Sequence, residues 1–220
     1  MLLALLDILR CPAPHDESAL IARVDAGEGG HMRDGVLGCP VCHREYAVRG
    51  GVVYWADAPR EETRNAPRAE REALPQAEDG LRLAALLAVN EARRPIVLAG
   101  ARAAHASQVG SFTEAHLVLV NPSGSVVPTG TSVFEGCLTL PFAGQSVAAV
   151  ALDAEHDRLL ASAVAAMMPG ARAVCPSRTP LPAGLRELTR DDADWVAERV
   201  GSAAATSGGF TPLRRNTTPQ

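Results

Sequence analysis

Three of the five cysteines lie within the first 42 residues, in two short segments. The segments are Cys11-Pro-Ala-Pro-His15 and Cys39-Pro-Val-Cys42. Thiolates and imidazole nitrogens are ligands that zinc prefers, and two turns of this kind can place four of them around a tetrahedral ion. Side chains then fill every coordination position and leave none open for water. We therefore predict a structural zinc ion held by Cys11, His15, Cys39 and Cys42.

The fourth ligand has alternatives, because a C-x3-H turn replaces the more usual C-x2-C in the first segment. His31 and His43 are rivals of His15, and Asp16 is a further one. Cys39-Pro-Val-Cys42-His43 also matches the pattern of covalent haem attachment, although no export signal precedes it. A last alternative has no metal: the cysteines of the second segment are small core residues and His15 is an exposed loop residue.

The elements around these segments predict a small zinc ribbon. The apolar side chains of residues 2–9 give a short helical face, and residues 19–24 read as a strand. Residues 46–55 read as a β-hairpin around a pair of glycines. Together they form a domain of residues 1–57, a size that rarely folds without a metal or another cross-link.

The rest of the chain predicts a parallel α/β sheet in residues 80–200. Residues 58–79, rich in Pro, Arg, Glu and Asn, read as a linker, and residues 201–220 as a disordered tail. The continuous apolar runs between them suit strands that are buried on both faces. The predicted strands are residues 96–99, 117–120, 147–152, 171–175 and an edge strand 185–188; the predicted helices are residues 81–89, 155–168 and 191–200.

The first 55 residues resemble the zinc-ribbon activator family that partners tRNA, ribosomal RNA and protein methyltransferases. The matching motifs are Leu5-Leu6-x-Ile8-Leu9-x-Cys11-Pro12 and Cys39-Pro40-x-Cys42-x-x-x-Tyr46-x-Val48-x-x-Gly51-Val52. The sequence departs from the family at Pro14, where a second cysteine would stand, so His15 is the substitute ligand that we predict. The resemblance implies a ribbon that docks a methyltransferase, another protein or RNA.

The second part resembles class I S-adenosylmethionine-dependent methyltransferases. Leu140-Pro141-Phe142-Ala-Gly-Gln-Ser146-Val-Ala-Ala149-Val150 is similar to their "Leu-Pro-Phe-x-x-x-Ser-Phe-Asp-x-Val" segment, and Ala166-Met-Met-Pro169-Gly170 is similar to their "Leu-Lys-Pro-Gly-Gly" turn. The resemblance implies a shortened Rossmann-like, methyltransferase-type parallel sheet after the ribbon.

The cofactor positions depart from that family. The turn after the first strand of the sheet is Gly100-Ala-Arg-Ala-Ala-His105-Ala, with one glycine where bare backbone must approach the cofactor. Asn121 stands where an acidic residue would bind the ribose, and Ala149 replaces an aspartate. We therefore predict no catalytic residues and a domain that has lost methyl transfer. Alternatively, Gly100 and Asn121 still bind S-adenosylmethionine weakly.

Composition limits the remaining possibilities. A net charge of −4 argues against a nucleic-acid binder that works through bulk positive charge. No apolar stretch approaches the roughly 20 residues that span a bilayer. An odd number of cysteines with a close pair fits metal binding in a reducing cytoplasm. All 21 basic residues are arginines, a bias typical of GC-rich bacterial genes.

Two functions follow as hypotheses. The first is a non-catalytic pseudoenzyme, in which the ribbon and its hairpin strand, residues 52–55, bind a protein or RNA partner. That strand could instead pack on the chain's own second domain. The second is a divergent methyltransferase acting on RNA or a small molecule. A further cluster, residues 153–157, could serve acid–base chemistry, although acidic residues also favour a helix N-terminus.

Overall fold

The computed structural model describes residues 1–55, 77–123 and 128–201. The predicted linker, apart from its last three residues, and the predicted tail from residue 202 lie outside this description. Among the described residues, no helix has the length and apolar character that crossing a bilayer requires.

Eleven strands form one sheet, flanked by short helices. The strands are β1 Ile21–Glu28, β2 His31–Gly38, β3 Glu45–Arg49, β4 Val52–Tyr54, β5 Ile96–Ala99, β6 Leu117–Val120, β7 Ser132–Glu135, β8 Val147–Ala151, β9 Met167–Pro176, β10 Leu185–Arg190 and β11 Asp194–Arg199. The α-helices are α1 Ala77–Leu87, α2 Ala106–Gly110 and α3 Leu160–Ala166, and 3-10 helices cover Leu3–Asp7, Val89–Glu91, Gly100–His105 and Asp157–Leu159. The order of strands across the sheet is β1-β2-β3-β4-β7-β6-β5-β8-β9-β11-β10.

The first four strands form an antiparallel meander, as the ribbon prediction requires. The predicted hairpin is confirmed, because β3 pairs with β4 through Val48 and Val53. The turn between these strands contains Gly50 and Gly51, both with positive φ, a backbone conformation that glycine adopts without strain. Among the residues that the structure describes, β1 pairs with β2 alone, so β1 is one edge of the described sheet.

The Rossmann-like α/β fold predicted for the second part is confirmed by its topology. β7, β6, β5, β8 and β9 are parallel to one another, and every residue of β5 and β6 is buried. β11 is antiparallel to β9, and β10 is the second edge. The connections reverse direction between β5 and β8. In doubly wound sheets, such a switch point opens a crevice at the carboxyl ends of the strands.

The two parts share a single sheet, because β4 pairs in parallel with β7. Val52 and Val53 are thus paired on both sides, and residues 52–55 pack on the chain's own second part, as the alternative to partner docking holds. Trp55 is buried at this junction, where its ring lies 4.8 Å from that of Tyr46 and 5.4 Å from that of Phe134. Phe134 stacks on Phe142 at 5.8 Å. Whether residues 1–57 form a separate folding unit stays a prediction.

Two predicted helices are corrected by the structure. Residues 191–200 form strand β11 after a turn, in which the Asp191 carboxylate accepts hydrogen bonds from the backbone N–H groups of Ala193 and Asp194. The first four residues of β11 are all buried, which suits a central strand rather than an amphipathic helix. The other helix ends at Ala166 instead of residue 168, because β9 begins at Met167 and its register shifts beside Gly170.

The sequence reasoning predicted neither β2 nor β7 as a strand, in addition to β11, for which it predicted a helix. β7, residues Ser132–Glu135, has two apolar residues and lacks the continuous apolar run that indicated β5 and β6. Its presence completes the parallel part of the sheet and joins it to the ribbon.

Candidate functional site

The four predicted metal ligands converge at one end of the ribbon. Their ligand atoms all lie within 4.8 Å of one another. The Cys11 and Cys42 sulfurs are 3.7 Å apart, and the Cys39 sulfur is 3.4 Å from His15 Nε2. A tetrahedral zinc site, with bonds of about 2.3 Å to sulfur and 2.0 Å to nitrogen, has ligand separations of about 3.5–3.8 Å. These two separations agree with such a site, and the four side chains together could hold a metal ion.

The local backbone holds the ligands in place. The 3-10 helix Leu3–Asp7 leads into Cys11, whose N–H donates to the carbonyl of Ser18. In the second segment, the N–H of His43 donates to the Cys39 carbonyl at 3.0 Å, which closes a tight turn. His43 itself has φ 57° and follows the ligands without joining them.

The first histidine is oriented for coordination through one nitrogen. His15 Nδ1 lies 2.6 Å from the carbonyl oxygen of Asp16 and donates to it, which leaves Nε2 facing Cys39. This hydrogen bond is the main reason why the pKa of His15 is raised. A second partner of this kind fixes the ring of a metal-ligating histidine. Among the described residues, the group that could hold an ion includes His15 and not His31, His43 or Asp16.

The thiols have unequal electrostatic environments. Burial opposes ionisation of Cys39, but hydrogen bonds from the backbone N–H groups of Cys42 and Val41 outweigh it and lower the pKa of Cys39 to about 6. Burial raises the pKa of Cys11, against a hydrogen bond with Tyr46 that lowers it. The hydroxyl of Tyr46 lies 3.3 Å from the Cys11 sulfur. Sequence reasoning used Tyr46 as a hairpin residue and missed this contact.

The crevice at the switch point is occupied by the chain's own side chains. Gly100 follows β5 with φ 59°, and a Cβ built there would overlap Asp153 and His156. The Asp153 carboxylate accepts a hydrogen bond from the Ala101 N–H at 2.7 Å and lies 2.6 Å from His156 Nδ1. The same carboxylate accepts from the backbone N–H groups of Glu155 and His156. Asp153 thus serves the turn before a 3-10 helix, and it also ties the loop after β8 to the loop after β5.

The second predicted cofactor residue is engaged internally. Asn121 follows β6 with φ 46°, and its side-chain amide donates to the Cys137 carbonyl at 2.9 Å. Its amide oxygen accepts from the Cys137 N–H at 3.0 Å. Gly100 and Asn121 therefore both lie at the carboxyl ends of neighbouring parallel strands, β5 and β6. Cofactor binding by these two residues stays a prediction.

An ion network lies next to the crevice, and the sequence reasoning missed it. Asp194, which is 3% exposed, forms ion pairs with Arg102 and with Arg82, the latter at 3.1 Å. Arg82 also contacts Asp191 at 2.6 Å. The network joins α1, the loop after β5 and the start of β11, which are far apart in the chain. It therefore fixes the loop that carries Gly100.

Comparisons with known proteins support no family assignment. No protein-family model matches the chain, and no curated protein matches it. A putative O-methyltransferase from Klebsiella pneumoniae is 13% identical, with a TM-score of 0.40 over 60% of this chain and 83% of that one. An S-adenosylmethionine-dependent O-methyltransferase from Thermotoga maritima is 14% identical, with a TM-score of 0.39 over 76% and 77%. An S-adenosylmethionine-bound amino pentose methyltransferase from Micromonospora echinaspora is 13% identical, with a TM-score of 0.34 over 62% and 66%.

These TM-scores lie below 0.5, so the fold class rests on the strand order and direction of the sheet. That class is a mixed α/β protein with a largely parallel, Rossmann-like sheet. The chain adds to it an antiparallel meander with a four-residue cluster that could hold a metal ion.

Proposed function

We propose that this protein is a non-catalytic zinc-ribbon protein, built on a degenerate methyltransferase-like scaffold, that binds a partner in the cytoplasm. One observation carries the proposal: Asp153 accepts the hydrogen bond of the Ala101 N–H at the loop where a nucleotide cofactor would approach the backbone. In doubly wound folds this loop must present bare backbone to its ligand.

The residues at the crevice do not fit S-adenosylmethionine. Asp153 and His156 stand against Gly100, so the space that a glycine leaves open is already filled. The Asn121 amide is committed to the Cys137 backbone, and a neutral amide lacks the charge-assisted contact that a carboxylate makes with ribose hydroxyls. Ala149, which replaces an aspartate of the resembled segment, is buried inside β8.

A divergent S-adenosylmethionine-dependent methyltransferase is the second candidate. It is favoured by the left-handed backbone of Gly100 at the carboxyl end of β5, the conformation that a close turn beside a cofactor uses. Binding of the cofactor separates the two candidates. The first predicts no saturable heat of binding with S-adenosylmethionine, and the second predicts micromolar binding and methyl transfer.

Zinc is the ion that the cluster suits best. Three thiolates and an imidazole, with ligand atoms within 4.8 Å of one another, match the ligand types that zinc prefers, and the protein supplies all four. A structural ion would stabilise the meander and supply no reaction step. Elemental analysis of native protein should give one zinc per chain, and Cys42→Ser should lower it. A metal-free native protein would contradict this part of the proposal.

A protein partner fits the surface better than RNA does. The free edge of β1 adjoins a cavity of about 250 Å³ that lies beside Pro40. Ile21 on this edge is 64% exposed, and Val41 on the neighbouring turn is 57% exposed. An extended segment of a partner, for example of a methyltransferase, could add to such an edge and place an apolar side chain in the cavity. All five cysteines are free thiols, in keeping with the cytoplasm.

The partner proposal is tested by cross-linking in the native cell. A photo-cross-linking residue at position 21 should capture a defined protein, and Ile21→Glu with Val41→Glu should abolish co-purification of that protein. The same residue at the opposite edge, at Leu188, is the matched control, since Leu188 is also exposed. Capture of RNA instead, or equal capture at both edges, would contradict a protein partner at β1.

A further inference from the structure

Tyr46 brings a buried hydroxyl group to the metal-binding cluster. Its side chain is 5% exposed, and its oxygen lies 3.3 Å from the Cys11 sulfur. A buried tyrosine hydroxyl normally requires a hydrogen-bond partner. Cys11 is the partner that the structure provides, and its thiolate can accept a hydrogen bond that the Tyr46 hydroxyl donates.

The charge of the centre makes this hydrogen bond useful. Three thiolates and a neutral imidazole leave one surplus negative charge on a divalent cation. Such a charge is costly in a half-buried site unless hydrogen-bond donors face it. Backbone N–H groups face Cys39, from Val41 and Cys42. The Tyr46 hydroxyl does the same for Cys11, at 3.3 Å from its sulfur.

The ring of Tyr46 reaches in the other direction. It lies 4.8 Å from the ring of Trp55 at an angle of 45°. Trp55 in turn contacts Phe134 of β7, edge to face, at 5.4 Å. One side chain therefore contacts a metal ligand at its hydroxyl and the junction between ribbon and parallel sheet at its ring.

We infer that Tyr46 is a positioning residue for the metal centre. Its hydroxyl orients the Cys11 thiolate, and its ring couples metal binding to the environment of the Trp55 ring at the junction. The inference rests on the proposed function, since it requires that the cluster binds a metal. It adds a link between the ion and the sheet that the four ligands alone do not make.

The test uses the full chain and Tyr46→Phe, which removes one oxygen atom and keeps the ring. Cobalt(II) is loaded as a spectroscopic probe, and zinc affinity is measured by competition with a chelator. We expect zinc to bind about tenfold more weakly or worse, the usual effect of losing an outer-shell partner. The sulfur-to-cobalt charge-transfer band should also shift, which a merely structural substitution would not cause. Tyr54→Phe, the same change at the chain's other tyrosine, should leave both unchanged.

Tryptophan fluorescence supplies the second measurement. Removal of the metal from the wild-type protein should change the emission, and Trp55→Phe, which leaves Trp195 as the other tryptophan, should abolish that change. A wild-type protein that binds no metal defeats the proposed function itself. A wild-type protein that binds metal, with the same affinity and cobalt spectrum in Tyr46→Phe or with no change in Trp55 emission, overturns only the role of Tyr46.

Discussion

The carboxylate of Asp153 accepts a hydrogen bond from the backbone N–H of Ala101 at 2.7 Å, across the crevice between the loops after β5 and β8. The same carboxylate holds His156 at 2.6 Å. A ligand that needed the backbone at Gly100 would have to displace both side chains. Asp153 therefore links the loops after β5 and β8 at the switch point of the Rossmann-like sheet.

Replacement of Asp153 should destabilise the protein. Asp153→Ala removes the acceptor of the His156 N–H and of His156 Nδ1, both in part-buried surroundings, and hydrogen bonds to charged groups contribute about 1.5–3 kcal/mol each. We expect a loss of about 2 kcal/mol in the free energy of unfolding, measured by urea denaturation. Asp157→Ala, a nearby acidic residue, should cost less than half as much. Equal losses in the two variants would mean that Asp153 does not hold the crevice.

The metal cluster should stabilise the ribbon. Metal binding of this kind contributes directly to folding, so Cys42→Ser or a strong chelator should lower the thermal midpoint by many degrees. His43→Ala, next to the cluster but outside it, should keep the wild-type metal content and midpoint. Differential scanning fluorimetry with elemental analysis makes the comparison. Loss of metal in His43→Ala, but not in His15→Ala, would show that His43 and not His15 is the fourth ligand.

Removal of the Asp194 charge from the ion network should destabilise the protein. Asp194→Asn leaves Arg102 and Arg82 without their shared counter-charge, and hydrogen bonds to charged groups contribute about 1.5–3 kcal/mol each. We expect a destabilisation of about 2 kcal/mol or more in urea. The neighbouring Asp192→Asn serves as the control, since Asp192 is exposed. The prediction is wrong if both substitutions have the same small effect.

Stability should fall in mild acid because of His116. Burial, followed by the charges of His31 and the amino terminus, lowers the pKa of His116 to about 4 from an ordinary 6.5. Between these pH values the unfolded chain binds more protons at this residue than the folded protein does. The contribution of neutral His116 to stability is therefore fully present above pH 6.5 and is lost as the pH falls towards 4.

Protonation also removes the acceptor at Nε2, which lies 2.8 Å from the Ser132 hydroxyl. That hydroxyl oxygen accepts the Leu2 N–H, so a proton on His116 disturbs the contact between the ribbon and β7. Urea unfolding at a series of pH values gives the free energy of unfolding as a function of pH. Between pH 6.5 and 4 this free energy should fall less steeply in His116→Gln than in the wild type. An unchanged slope would exclude His116 as the cause.

Local patterns predicted the parts of this protein that depend on short stretches of chain. The four candidate ligands lie in two short segments of the sequence. β5 and β6 are each a continuous run of buried apolar residues, which can be recognised from the run itself. The helix expected at 191–200 failed because Trp195 and its neighbours are buried by β9, a contact from a distant part of the chain. Local propensity carries no information on such pairing.

The same reason explains what the site predictions missed. Tyr46 meets Cys11 only because β3 returns beside the first ligand segment, and Asp153 meets Ala101 across more than 50 residues. The short β7, which joins the meander to the parallel sheet, has two apolar residues and no continuous apolar run. Spacing could therefore indicate the four candidate ligands and the turn at Gly100, but not the side chains from distant parts of the chain that contact them.

Titration calorimetry of the metal-loaded full chain with S-adenosylmethionine tests the central claim most directly. Because Asp153 and His156 lie against Gly100, we expect no saturable heat of binding at ligand concentrations up to about 1 mM. A dissociation constant above that value corresponds to a binding free energy weaker than about −4 kcal/mol. Saturable binding in the micromolar range, lost in Gly100→Val, would show that Asp153 and His156 move aside for the cofactor. That result would contradict the proposal that this methyltransferase-like domain has lost methyl transfer.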